Sequence, residues 1–279
     1  MSASALALVL AAAFMHATWN ALVKGATDRA AVLTGVSLAN VIVGAALVVM
    51  APLPAMASWP SLAVSTVVHY AYYLLLFHSY RLGDLSQVYP ISRGIAPALV
   101  AVSALVLIGE DLSPGGWAGV AAVSAGIGLL AVQKGAVNAP RGSVAFALTL
   151  GVCIAVYSTA DGIGVRLSES PLGYMGWLFL LEAPVPLAIA WHRQRRGGHV
   201  DRRTLLLGLF AGGLSVAAYG IVLYVKSFAP LGAVSAVRES SVVIAALMGV
   251  LLFGERPWKG RLMAAVIVAG GVMALATAS

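Results

Sequence analysis

Five ionisable side chains fall inside otherwise apolar stretches of the sequence: Arg93, Asp161, Glu182, Arg238 and Glu239. Facing lipid, each would cost ~2.5–3.5 kcal/mol on the insertion scale, so all five are expected to face inward and to pair. Two arginines against three carboxylates leave one carboxyl over. That group is either protonated or meets a cationic substrate, which makes Asp161, Glu182 and Glu239 the candidates for proton coupling. A planar guanidinium grips a carboxylate, phosphate or phosphonate through two hydrogen bonds. Arg93 and Arg238 are therefore read as ligands for an anion, with a second reading of Arg238 as a structural ion-pair member.

Helical spacing groups further polar and aromatic positions around these charges. His16, Trp19, Asn20 and Val23 share one face, and Tyr157, Ala160, Asp161 and Gly164 share another. Tyr70, Tyr73, Phe77 and Tyr80 form an aromatic stripe, answered later in the chain by Gly220 and Tyr224. Tyr89, Ser92, Arg93 and Ala96 lie together, as do Ser235, Arg238, Glu239 and Val242. These faces supply the predicted substrate contacts: a cavity with aromatic walls and a few charges suits a small polar organic solute, and the rings can hold an amine by cation–π contact. The tyrosine stripe also reads as packing and interface anchoring, and His16 also reads as a bond to a neighbouring helix.

The elements that position these groups follow from composition. Of 279 residues, 61% are hydrophobic and 10% charged, and the mean hydropathy is +0.95. A soluble domain is nearer half apolar and a quarter charged. The apolar runs are long and unbroken, which excludes an alternating β-barrel pattern and predicts an all-α membrane protein. Ten spans are expected: Ala3–Val23, Ala31–Pro52, Ser61–Tyr80, Leu85–Leu107, Trp117–Val132, Val144–Val165, Leu172–Trp191, Leu205–Val225, Leu231–Phe253 and Met263–Thr277. Each is near the ~20 residues that cross ~30 Å of hydrocarbon. Pro90 and Pro97 should kink the fourth. Gly115, Gly119, Ala122 and Gly126 should let the fifth span pack closely inside the bundle, and Gly260, Ala264 and Gly271 the tenth. His78 and Lys226, near helix ends, are read as snorkelling.

Enzymatic chemistry finds no foothold. The sequence contains neither G-x-x-x-x-G-K-[ST] nor H-E-x-x-H, and no Ser, His and Asp arrangement with a recognisable context. The single cysteine, Cys153, excludes an intrachain disulfide and a cysteine metal cluster. No catalytic residue, metal site or cofactor is expected. The net charge of +7 comes from basic residues dispersed over short loops, which points to topology control and not to nucleic acid.

The sequence also aligns with itself. Arg93 and the pair Gly109-Glu110 recur as Arg238 and Gly254-Glu255, and Gly126 and Ala131 recur as Gly271 and Ala276, all at one offset. Thr18-Trp19-Asn20 falls on Thr159-Ala160-Asp161, and Tyr72 and Phe77 on Tyr219 and Tyr224. This predicts a five-plus-five inverted repeat, residues 1–138 and 139–279, forming one integral membrane unit. An odd number of spans per half forces the second half to enter from the opposite side. Such repeats build secondary transporters, with the substrate at the interface and alternating access following from the two equivalent halves.

Ten short helices in this arrangement, with Leu107-Ile108-Gly109-Glu110 closing the fourth and Leu252-Phe253-Gly254-Glu255-Arg256 the ninth, resemble the EamA-type transporters of the drug/metabolite transporter superfamily. The resemblance implies proton-coupled or facilitated movement of amino acids, sugars, nucleotide-like metabolites, amines or drugs across a bacterial inner membrane. His16-Ala17-Thr18-Trp19-Asn20 is similar to a branch associated with phosphonate use. The reading is thus a proton-coupled carrier of a small anionic or zwitterionic metabolite, amino acid-like or phosphonate-like, acting as a monomer or weak homodimer. Export of cationic drugs or amines is the alternative, and a non-transporting receptor or assembly subunit is the rival of another class.

Orientation comes from the basic residues. Loops after odd-numbered spans carry Lys24, Arg29, Arg81, Lys134, Arg141, Arg193, Arg195, Arg196, Arg202, Arg203, Arg256, Lys259 and Arg261, while the other side carries Arg166 and Lys226. The positive-inside rule places the first set in the cytoplasm and both termini outside, although many members of the resembling family keep their termini inside. A C-terminal alkaline phosphatase fusion should therefore be active and a green fluorescent protein fusion dark. The reverse pattern would overturn this topology.

Overall fold

The computed structural model describes residues 1–82, 85–133, 140–195, 201–254 and 258–278, with side chains at 76–82, 85–89, 189–190, 193–194 and 252–253 outside that description. All regular structure among the described residues is helical. The order is α1 (Ala3–Gly25), α2 (Arg29–Met50), a 3₁₀ turn (Met56–Ser58), α3 (Trp59–Leu82), α4 (Leu85–Ile108), α5 (Pro114–Gln133), α6 (Arg141–Leu167), α7 (Pro171–Glu182), α8 (Pro184–Arg195), α9 (Arg202–Lys226), α10 (Leu231–Phe253) and α11 (Trp258–Thr277). Eight of these helices (α1, α2, α4, α5, α6, α9, α10 and α11) are long and apolar enough to cross a membrane. The chain is an integral membrane protein.

Short polar residues start the helices by meeting backbone N–H groups that have no intrahelical acceptor. Ser2, Asp28, Ser170 and Asp201 each accept from an amide in the first turn. At the other end, Gly254 closes α10 with φ 63° and Gly109 follows α4 with φ 65°. Only glycine enters this left-handed region without strain, which explains the glycine of both Gly-Glu motifs.

The sequence reading and the structure differ at the seventh predicted span. Leu172–Trp191 is not one helix but two, α7 and α8, meeting at Ala183. Pro184 and Pro186 have no amide hydrogen, so two consecutive-turn bonds cannot form there. By contrast, Pro90 and Pro97 lie inside a helix that runs from Leu85 to Ile108. Lys226 also departs from expectation. It is the last residue of α9 and wholly buried, its Nζ donating to the Ser158 carbonyl at 2.7 Å and to Ser158 Oγ at 2.6 Å, so it does not snorkel. Arg261, counted above as a loop charge, lies in the first turn of α11 and is buried.

Packing relies on small residues where backbones approach. α5 lies along α11, with Gly119 against the Gly271 carbonyl and Gly126 against that of Ala264. α1 packs on α9 and α10, and α6 packs on α3 and α4. α4 and α10 cross each other, as do α2 and α7. α2 and α9 approach backbone to backbone, where a Cβ on Gly35 would lie 2.6 Å from Gly208 Cα. Gly35→Val should therefore lower stability to unfolding by at least ~1–3 kcal/mol through overpacking. Gly213→Ala, on the same α9 with nothing within 4 Å, should leave it unchanged. Equal unfolding midpoints for the two variants would contradict this packing.

Candidate functional site

The buried charges collect at the crossing of α4 and α10. Glu239 is completely buried and accepts from Arg93 Nη1 at 3.1 Å (Oε1) and 3.3 Å (Oε2). Arg238 Nη1 lies 3.5 Å from the same Oε1. The carboxylate thus sits between two arginines, one from each half of the chain. Its adjacent Arg238 is the more distant, because successive helical residues diverge by about 100°. Arg238 instead extends over the Tyr219 ring, 5.3 Å from its centroid.

Aromatic groups surround this triad. Tyr157 is buried and packs against Tyr72 and Tyr219. Its ring lies 4.0 Å from that of His69. Asp161 is completely buried and accepts from Tyr174 Oη at 3.2 Å and from Tyr219 Oη. Glu182 ends α7, with Oε2 accepting from Tyr73 Oη at 3.3 Å and Oε1 3.1 Å from His69 Nδ1.

Next to the triad is a cavity of about 190 Å³. It lies where α1, α5 and α10 end and α4 and α11 begin, lined by His16, Asn20, Lys24, Arg93, Ser241 and Arg261 among others. His16, Asn20 and Lys24 are spaced i, i+4, i+8 and present one stripe to it. Among the described residues its lining carries basic side chains and no carboxylate.

Most of the sequence candidates come together. Arg93, Arg238, Glu239, Tyr157, Asp161, Tyr73 and Glu182 form the buried network, and His16, Asn20 and Arg93 face the cavity. Asn20 is also tied to its own helix, donating to the His16 carbonyl at 2.7 Å. Trp19 donates to His16 Nδ1 at 3.3 Å but packs with Val32, Val36 and Ala211, so it positions His16 and does not line the cavity. Tyr224 is not brought in: it is 52% exposed and stacks on Phe228. The side chains of Phe77 and Tyr89 lie outside the description. Glu110, just past the end of α4, is structural: it accepts from the Leu231 amide and pairs with Arg166 at 2.8 Å.

Several members of the network escaped the sequence reading: His69, Tyr174, Lys226, Lys24 and Arg261. His69 carried a usable signal, standing four residues before Tyr73 and so on its face. Lys24 and Arg261 were hidden because charges near helix ends look alike whether they face solvent or a cavity.

An all-helical membrane bundle with a charged centre and a polar cavity is the build of a solute carrier. Residues 141–277 match the EamA-like transporter family, in keeping with the EamA-type resemblance read from the sequence. The chain is similar to an uncharacterized transporter encoded in the cobO 3' region of a Sinorhizobium species, 36% identical over 75 residues. That stretch is 27% of this chain and spans about half, 52%, of the relative's length. A protein of known crystal structure shares the fold, with a TM-score of 0.75 and 20% identity over 99% of this chain and 98% of its own.

The triad sets a clear energetic expectation. Glu239→Gln leaves two buried arginines without their carboxylate and should cost ~3–5 kcal/mol. Replacing Arg93, Arg238 and Glu239 together by Met, Met and Leu should cost much less, because no unpaired charge remains. Unfolding measurements on both variants in detergent check this. A single variant as stable as the parent would mean that the triad is not held as described.

Proposed function

We propose that the protein is a secondary transporter that moves a small anionic or zwitterionic metabolite, amino acid-like or phosphonate-like, across a bacterial inner membrane by alternating access. The observation that carries the reading is the cavity beside Arg93. It is lined by His16, Lys24, Arg93 and Arg261, and among the described residues no carboxylate faces it. That lining favours an anion over a cationic drug or amine, for which a facing acid or open aromatic cage would be expected.

In this reading α7 and α8 together form one span and α3 another, giving ten. The halves 1–138 and 139–279 are inverted repeats. Their relation is supported by the way α1 packs on α9 and α10 while α6 packs on α3 and α4. Arg93 and Arg238 are equivalent positions, one beside the cavity and one in the closed half. Alternating access exchanges their surroundings, with the substrate anion competing with Glu239 for a guanidinium. Coupling to protons uses one of Asp161, Glu182 and Glu239. The protein works without catalytic chemistry or cofactor, as a monomer or weak homodimer, with both termini outside.

Proteoliposome flux tests the proposal. Radiolabelled 2-aminoethylphosphonate, glutamate and a cationic amine are offered under an imposed pH gradient. Uptake of an anionic or zwitterionic probe is expected, with Arg93→Ala abolishing it. Flux of the amine alone, or none for any probe, would overturn this reading.

A further inference from the structure

The three buried acids differ in how completely their oxygens are met. Glu239 has both oxygens bonded by Arg93, and Asp161 has both bonded by tyrosine hydroxyls. Glu182 has Oε2 bonded by Tyr73, while Oε1 is buried with no hydrogen-bond partner. His69 Nδ1 stands 3.1 Å from that oxygen, yet it also lies 2.9 Å from the Ser65 carbonyl. The Ser65 hydroxyl lies 3.2 Å from the same nitrogen; in the tautomer with its hydrogen on Nδ1, that hydrogen is directed to the Ser65 carbonyl and Oε1 stays unmet. A buried carboxylate oxygen left without a donor is costly, and adding a proton to it removes the charge.

The location gives this acid leverage. Glu182 ends α7 at the break before Pro184, and α3 holds that break together. Tyr70 Oη donates to the Leu181 carbonyl, Tyr73 Oη donates to Glu182, and His69 faces it. Beyond the break, helical bonding resumes with Leu187 N–H to the Ala183 carbonyl at 3.0 Å. From His69 the contacts continue through the Tyr157 ring to Tyr219 and Arg238, and so to the central triad. The other groups facing the pair are Asp161 of α6, Lys226 of α9 and Arg238 of α10. α2, packed against both half-helices, brings only Arg29, at its start.

From this geometry we infer that Glu182, positioned by His69, is the proton-binding site of the carrier and that its protonation loosens the hinge between α7 and α8. Ionised, Glu182 holds the Tyr73 hydroxyl at the break, with the His69 ring against its open oxygen. Protonated, that oxygen carries a hydrogen of its own and the hold on Tyr73 weakens, so the two half-helices can reorient. The inference deepens the proton-coupled reading and depends on it for its role in transport, but the hinge itself can be observed without any substrate.

Amide hydrogen exchange at Ala183 and Leu187, whose N–H groups donate to the Leu180 and Ala183 carbonyls, on the full chain in lipid nanodiscs and corrected for intrinsic pH dependence, tests it. From neutral to mildly acidic pH, protection in the parent protein should fall roughly tenfold, the equivalent of one hydrogen bond to a charged group. Glu182→Gln should show the low protection at both pH values, whereas Asp161→Asn should keep the parent response. A parent without pH response, or a Glu182→Gln variant that still tightens at neutral pH, overturns the inference. Should Glu182→Gln not fold, His69→Ala decides: protection at Leu187 must fall at neutral pH, and unchanged protection refutes the pairing. Any of these results stands whether or not the flux assay finds a substrate, so the two failures remain separate.

Discussion

One carboxylate, that of Glu239, organises the centre of this bundle. It is completely buried, and it lies between the guanidinium groups of Arg93 and Arg238. In a medium where an unpaired charge costs several kcal/mol, neither arginine is free to leave without a replacement anion. That constraint ties α4 to α10, and through them the two halves of the chain. The aromatic shell of Tyr157 and Tyr219 keeps the medium apolar enough for the constraint to bite.

Much of this was legible in the sequence because lipid penalises polar groups so heavily. An arginine in the middle of an apolar run, such as Arg93, has nowhere to point but inward, and its recurrence as Arg238 pairs it with a distant position. The small residues of α5 and α11 announced a close backbone approach for the same reason. What stayed hidden were relations that need three dimensions. Nothing in the sequence places His69 beside Glu182, more than a hundred residues away. Lys226 resembled a snorkelling lysine because its burial depends on Ser158 of a different helix. Tyr224 misled in the opposite sense: it answers the aromatic stripe in the sequence, but on α9 it is half exposed and turned away from the buried network.

The division of the predicted seventh span is likewise a matter of local chemistry overriding composition. Its residues are apolar enough for one crossing, yet two prolines within three positions remove the bonds that would keep it straight. The chain repairs the gap with side chains from α3, so the interruption is structural dependence on a neighbour and not mere slack. α2, which packs against both half-helices, has no proline and runs as a single helix.

That dependence reaches back to biosynthesis. A twelve-residue helix is about 18 Å long, well short of a ~30 Å hydrocarbon layer, and α7 ends on an acid. Emerging from a translocation channel alone, such a segment would partition poorly into the bilayer. Its partners α2 and α3, however, are made earlier and already stand in the membrane when α7 arrives. The order of the chain thus supplies a docking surface before the segment that needs it, and assembly of the weakest part becomes a templated event.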